Sequence, residues 1–198
     1  MLVVPDQIHA VDRALRAGQV SCPCSAELRP WGWARRRVLR AGDTVRVIRP
    51  RRARCRACAL THVLLPAVML QRRAYAIDVI GAALLDAAHG HGHRPIAVRL
   101  GVPAGTVRGW LRRFRARACA LAALGTRLAY RLDASLGRLE PAGGWPSPVH
   151  AALGELAIAT AAYQRHHLDA PTDRWQALCT LTRGLLLANT SRPCPPVR

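Results

Sequence analysis

Apolar positions along the chain change their period twice. From Asp6 to Ala17 the run DQIHAVDRALRA puts Ile8, Val11 and Leu15 on one side of a short helix, which Gly18 ends. Between Ser21 and Pro66 that period is lost. Gly and Pro punctuate the stretch, and short β-prone pieces such as Val45 to Ile48 and Thr61 to Leu65 stand between them. From Ala74 onward a helical period returns. Tyr75 to Ala88 carries Ile77, Val79, Ile80, Ala83, Leu84 and Ala87, and closes in the glycine-broken run His89 to His93. Pro95 to Leu100 predicts a second, short helix broken by Gly101. Pro103 to Ala123 predicts a third, with proline at a tolerated first-turn position. Glu140 to Pro148 (EPAGGWPSP) reads as a linker, followed by amphipathic helices over Val149 to Arg165 and Thr172 to Asn189 and a Pro-rich tail.

The segment without helical period has too thin an apolar core to hold itself, and it carries four of the seven cysteines. Cys22-Pro23-Cys24 and Cys55-Arg56-Ala57-Cys58 form two close pairs, whereas Cys119, Cys179 and Cys194 stand alone as small apolar fillers or tail residues. Two thiolate pairs on two hairpin tips can meet around one tetrahedral zinc ion, which replaces the missing core. The second pair has the usual spacing, and the first is one residue short of it. Two other arrangements stay open: His62, four residues after Cys58, takes the place of Cys24, or the site is empty and packing alone holds the ribbon. The histidines at 89, 91 and 93 read as a solvated loop.

Charge changes the picture further. The chain of 198 residues has a formal net charge of +19, from 30 basic and 11 acidic residues, and every basic residue is arginine. A GC-rich genome accounts for the missing lysine, so only the placement of the arginines argues function. Eleven of them lie between Arg29 and Arg56, opposed there by Asp43 alone. A solvated face would mix signs, so Arg49, Arg51, Arg52 and Arg54 are expected to contact phosphate. Trp31 and Trp33 sit among them, one of them at least expected to pack under the ribbon.

Arg94 to Arg117 (RPIAVRLGVPAGTVRGWLRRFRAR) predicts a helix-turn-helix. Ala97 is small where two helices approach, Gly101 permits the reversal, and Val102, Val107, Trp110, Leu111 and Phe114 form the buried stripe. The remaining face is small at its start and arginine-rich afterwards, as suits a helix in a major groove. Arg108, with Thr106 beside it, is the expected base contact; Arg112, Arg113 and Arg115 are expected phosphate contacts. Gly105 and Gly109 weaken this helix by about 1 kcal/mol each relative to alanine.

The runs RPWGWARRRV, RRARCRACALTHVLLP and RPIAVRLGVPAGTVRGWLRRFRARA resemble an uncharacterised bacterial family found in high-GC genomes. Their layout is similar to the N-terminal DNA-recognition part of insertion-sequence transposases. The resemblance covers roughly Ser21 to Ala118 and implies DNA binding, with Cys22, Cys24, Cys55 and Cys58 as metal ligands.

A catalytic centre is not expected. Nuclease chemistry needs carboxylates converging on metal ions, but Asp133, Glu140, Glu155, Asp169 and Asp173 sit in helix-end or linker sequence. The 80 residues after Ala118 are too few for a transposase catalytic domain.

The expected fold is mainly α with a small N-terminal β zinc ribbon, a helix-turn-helix core and C-terminal helices. Its expected parts are an N-terminal helix (1–20), the zinc ribbon (21–68), the helix-turn-helix domain (74–123), a connecting helix and linker (124–148), a helical pair (149–190) and a tail (191–198). The expected function is a transcriptional regulator or transposase-derived recognition protein on double-stranded DNA, cytoplasmic and nucleoid-associated, with a homodimer suiting a palindromic site. Two alternatives are RNA binding through the ribbon and a helical interaction module, whose seams would be Val149, Leu153, Leu156 and Ala157, and Trp175, Leu178, Leu181, Leu185 and Leu186. No signal peptide or membrane span is expected, since Met1 to Pro5 is too short an apolar run and none approaches about 18 residues.

Overall fold

The computed structural model describes residues 1–188. Cys194, the tail and the end of the last expected helix lie outside the described residues. Among the described residues, six strands and seven helices follow in the order β1 (Leu2–Val4), α1 (Ile8–Arg16), β2 (Leu28–Trp33), β3 (Arg37–Ala41), β4 (Thr44–Ile48), β5 (Arg51–Cys55), β6 (Thr61–Pro66), α2 (Ile77–Ala88), α3 (His93–Leu100), α4 (Ala104–Arg115), α5 (Ala118–Leu132), α6 (Pro148–His166) and α7 (Arg174–Leu181). No described helix is long and apolar enough to cross a membrane.

Four strands form one sheet in the order β1-β6-β5-β2, with β1 parallel to β6 and the other pairs antiparallel. Alternation along β6 explains why Leu64 and Leu65 are both buried. Leu64 joins Leu28, Ala53 and Cys55 in a small core closed by Val11 and Leu15 of α1. Leu65 points the other way, into the main core with Met69, Ile80, Trp110 and Phe114. β3 and β4 pair separately and feed Leu39 and Ile48 into that main core. The sheet thus lies between α1 and the helical half, which shares its largest core.

In the helical half, α3 ends at Gly101, whose φ of 61° reverses the chain; the Val102 amide donates to the Ala97 carbonyl and its side chain is buried. Val107, Trp110, Leu111 and Phe114 form the buried stripe of α4. The expected helix from Pro103 to Ala123 is two helices, divided at Ala116 and Arg117. The apolar stripe runs through the break in phase, Phe114, Ala118, Leu121, so periodicity carries no mark of it. Tertiary contacts hold the break: Arg117 Nη1 donates to the Leu185 carbonyl, and α5 lies along α6. A Cβ at Gly125 would come within 2.6 Å of the Glu155 carbonyl carbon, so those backbones nearly touch.

Local signals set the last two helices. Ser147 caps α6 by accepting from the His150 amide, and Asp173 caps α7 by accepting from the Gln176 amide at 2.8 Å. α7 stops at Leu181, short of the expected Asn189, where Arg183 and Gly184 take φ of 52° and 69° and the chain turns to bury Leu186 and Leu187. Most of the C-terminal apolar seam is spent inside the chain: Leu156, Leu178 and Leu186 are buried in the main core, with Val149, Leu153 and Trp175 packed against it.

Candidate metal centre and basic surface

Each cysteine pair sits on a tight turn. The Ser25 amide donates to the Cys22 carbonyl at 2.8 Å, and Ser25 takes φ 69°; on the other turn the Cys55 amide donates to the Leu60 carbonyl at 2.9 Å, and Ala59 takes φ 58°. These reversals bring both pairs to one end of the sheet. The four sulfurs all lie within 4.8 Å of one another, with Cys22 and Cys58 3.7 Å apart and Cys24 and Cys55 3.4 Å apart. A tetrahedral ion with metal–sulfur bonds of about 2.3 Å spaces its sulfurs about 3.8 Å apart, so the set fits one metal ion. The short Cys-Pro-Cys spacing does not prevent convergence.

The thiols are not equivalent. The backbone amide of Cys58, 3.4 Å from Cys55 Sγ, outweighs burial and, with the Cys58 and Cys24 thiols, draws Cys55 down to about 6. The amide of Cys24 acts on Cys22 in the same sense, but burial and the other three thiols prevail and push it up to about 12. A bound cation would favour the ionised form of the thiols.

The four sulfurs converge without His62, which stands beside Cys22. Its Nε2 lies 3.4 Å from Cys22 Sγ and its ring is buried beside the cluster, where burial holds it below the usual histidine range. Were Cys22 to ligate a metal as thiolate, an Nε2–H on His62 would steady it. Among the lone cysteines, Cys119 is exposed and Cys179 is buried, its Sγ 3.3 Å from the Met69 carbonyl and its thiol pushed up to about 12 by burial.

The arginine stripe divides. Arg49 and Arg54 are exposed and Arg52 half-buried. Arg51 is a correction to the sequence reading: it is buried, its Nε 2.7 Å from Asp12 Oδ1, so it braces β5 against α1 and faces no phosphate. Both tryptophans are exposed, so neither packs under the ribbon as expected. Arg54 lies 4.8 Å from the Trp31 ring and Arg51 4.3 Å from the Trp33 ring. Residues three apart on one strand face opposite sides, and the irregularity between Pro30 and Trp33 sends the two rings to opposite faces of β2.

On α4, Arg108, Arg112 and Arg115 are exposed along the side opposite the buried stripe. Arg113 is half-buried and folds back, its Nη1 donating to the Gly109 carbonyl at 3.0 Å. Thr106 is half-buried and lines a groove with Arg113, Arg72 and Arg73. Arg72 and Arg73 were not expected at this surface; they precede α2, and only folding sets them beside α4. Of the carboxylates after α4, Asp133 accepts from Ser135 and pairs with Arg165 and His166, Glu155 accepts from Trp145 Nε1, and Asp173 caps α7.

Residues 21–99 match a protein family described as a domain of unknown function, DUF6431. The match spans β2 to β6, α2 and most of α3, and ends before α4. No curated protein and no solved structure matches the chain.

Proposed function

We propose that this protein binds duplex DNA, with α3 and α4 as a helix-turn-helix and a zinc-held ribbon beside it. The observation that carries the reading is the two-sided character of α4. Val107, Trp110, Leu111 and Phe114 are buried on one side, while Arg108, Arg112 and Arg115 stand exposed on the other. A left-handed Gly101 and a buried Val102 join it to α3, the turn such a motif requires. Arg108 reads a base edge, and Arg112 and Arg115 hold phosphates. The net charge of +19 favours a polyanion. Zinc is the ion that best suits four thiolates in a closed tetrahedral set. The role is one of binding, without a catalytic step.

A second reading, RNA binding through the ribbon, has one observation in its favour: Trp31 is 50% exposed with Arg54 beside its ring, and an unpaired base can stack there. Fluorescence anisotropy tests both. Titration with a random-sequence duplex over a salt series should give tight, salt-steep binding that falls after chelation. Weak binding unchanged by chelator would sink the DNA reading, and preference for single-stranded RNA in competition would favour the second.

A further inference from the structure

Two glycines one turn apart, Gly105 and Gly109, lie on the side of α4 away from its buried stripe, where each weakens the helix relative to alanine. Their surroundings differ. Nothing stands within 4 Å of where a Cβ would be at Gly105, and at Gly109 a Cβ would come 2.9 Å from Arg113 Nη1. Both line an open groove of about 310 Å3 between α4 and the segment 72–75, with Arg72, Arg73, Tyr75, Thr106 and Arg113 around them. No acidic residue lines it.

Three guanidinium groups share this groove, and two are held by their own contacts. Arg73 Nη2 donates to the Leu187 carbonyl at 2.6 Å, and Arg113 Nη1 to the Gly109 carbonyl at 3.0 Å. Arg72 is exposed and takes φ 58°, a backbone region that costs a non-glycine residue. Burial, then the charges of Arg113 and Arg72, hold Arg73 below the usual arginine range. Like charges gathered where side chains are trimmed to glycine suit an anion that must come close to the helix backbone. An enclosed pocket would suit a free ion; an open groove along α4 suits a group carried on a chain.

We infer that this groove clamps a backbone phosphate of duplex DNA at the flank of α4, held by Arg72, Arg73 and Arg113 over the bare backbone at Gly105 and Gly109. The inference rests on the DNA-binding reading and adds to it two residues, Arg72 and Arg73, and a role for both glycines. The Thr106 hydroxyl supplies a neutral donor beside them.

The test uses R72G and G105A in the full chain, with R112A as a check on the underlying reading. Glycine at φ 58° is unstrained, and alanine fits the open space at 105, so both variants keep the fold, and their thermal midpoints should match or exceed wild type. Duplex affinity is measured over a salt series. The expected result is that R72G weakens binding about threefold to tenfold and reduces the salt slope by about one phosphate, and that G105A also weakens binding. If both variants bind as wild type does while R112A weakens binding, the clamp is wrong and the DNA reading stands. If wild type binds no duplex at low salt, both fail. Inorganic phosphate followed by 15N shifts of the arginine Nε groups then shows whether the groove takes free phosphate, which would equally overturn the DNA assignment.

Discussion

Arg51 in β5 stands with its Nε 2.7 Å from Oδ1 of Asp12 in α1, and its guanidinium is 5% exposed. This contact ties the helix over the small core to the middle of the sheet. Removing Arg51 leaves Asp12, 23% exposed, next to an emptied site. Breaking a fully buried pair costs about 3–5 kcal/mol, and the partial exposure of Asp12 reduces this to about 2 kcal/mol. Arg51→Ala should therefore lower the denaturant midpoint while leaving the salt slope of the proposed DNA binding as it is. A lower salt slope at unchanged stability would place Arg51 on the phosphate instead.

The four thiols give a prediction about stoichiometry. Purified protein should carry one metal ion per chain by elemental analysis, and Cys24→Ser or Cys55→Ser should lose it together with thermal stability. His62→Ala should keep one ion per chain but bind it about 10–100-fold more weakly, as for groups that orient a ligand. Full loss of metal in His62→Ala, with retention in Cys24→Ser, would make His62 the fourth ligand.

Close approach of α5 and α6 at Gly125 predicts a stability cost. A methyl there meets Glu155 backbone at 2.6 Å, which a rotamer change cannot relieve. Gly125→Ala should destabilise the protein by about 1–3 kcal/mol, the usual range for overpacking. An unchanged thermal midpoint would mean that the two helices pack further apart.

Acid stability follows from Asp133. Ser135, His166 and Arg165, in that order, hold its carboxyl below the ordinary 3.8. The unfolded chain binds the proton more readily, so the stabilisation is complete above pH 3.8 and is lost as pH falls below it. Asp133→Asn should lower the thermal midpoint at pH 7 and narrow the gap to wild type in strong acid. Any metal held by the thiols is lost in acid by both proteins alike, so their difference isolates this carboxylate. A gap that widens below pH 3.8 would contradict the assignment.

Much of this protein is written locally. The period of apolar residues marks α1, α2, α3 and the start of α4; Gly101 marks the turn between the last two; Asp173 marks the start of α7. Two cysteine pairs in a stretch too poor in apolar residues to fold alone mark the thiol cluster that could hold a metal ion. The helices, the turn and each cysteine pair depend on neighbours a few residues away, where backbone geometry and residue type act directly; the meeting of the two pairs, more than 30 residues apart, is tertiary. Tertiary structure decided what depends on distant partners. It buried Arg51 because Asp12 lies across the small core, and it set His62 against Cys22. It drew Leu2–Val4 into the sheet beside β6, broke the long helix at Arg117, and brought Arg72 and Arg73 to α4. An arginine run looks the same in sequence whichever side of a strand each residue takes. Burial and a partner's charge decide which of them meets solvent, and both are properties of the packed chain.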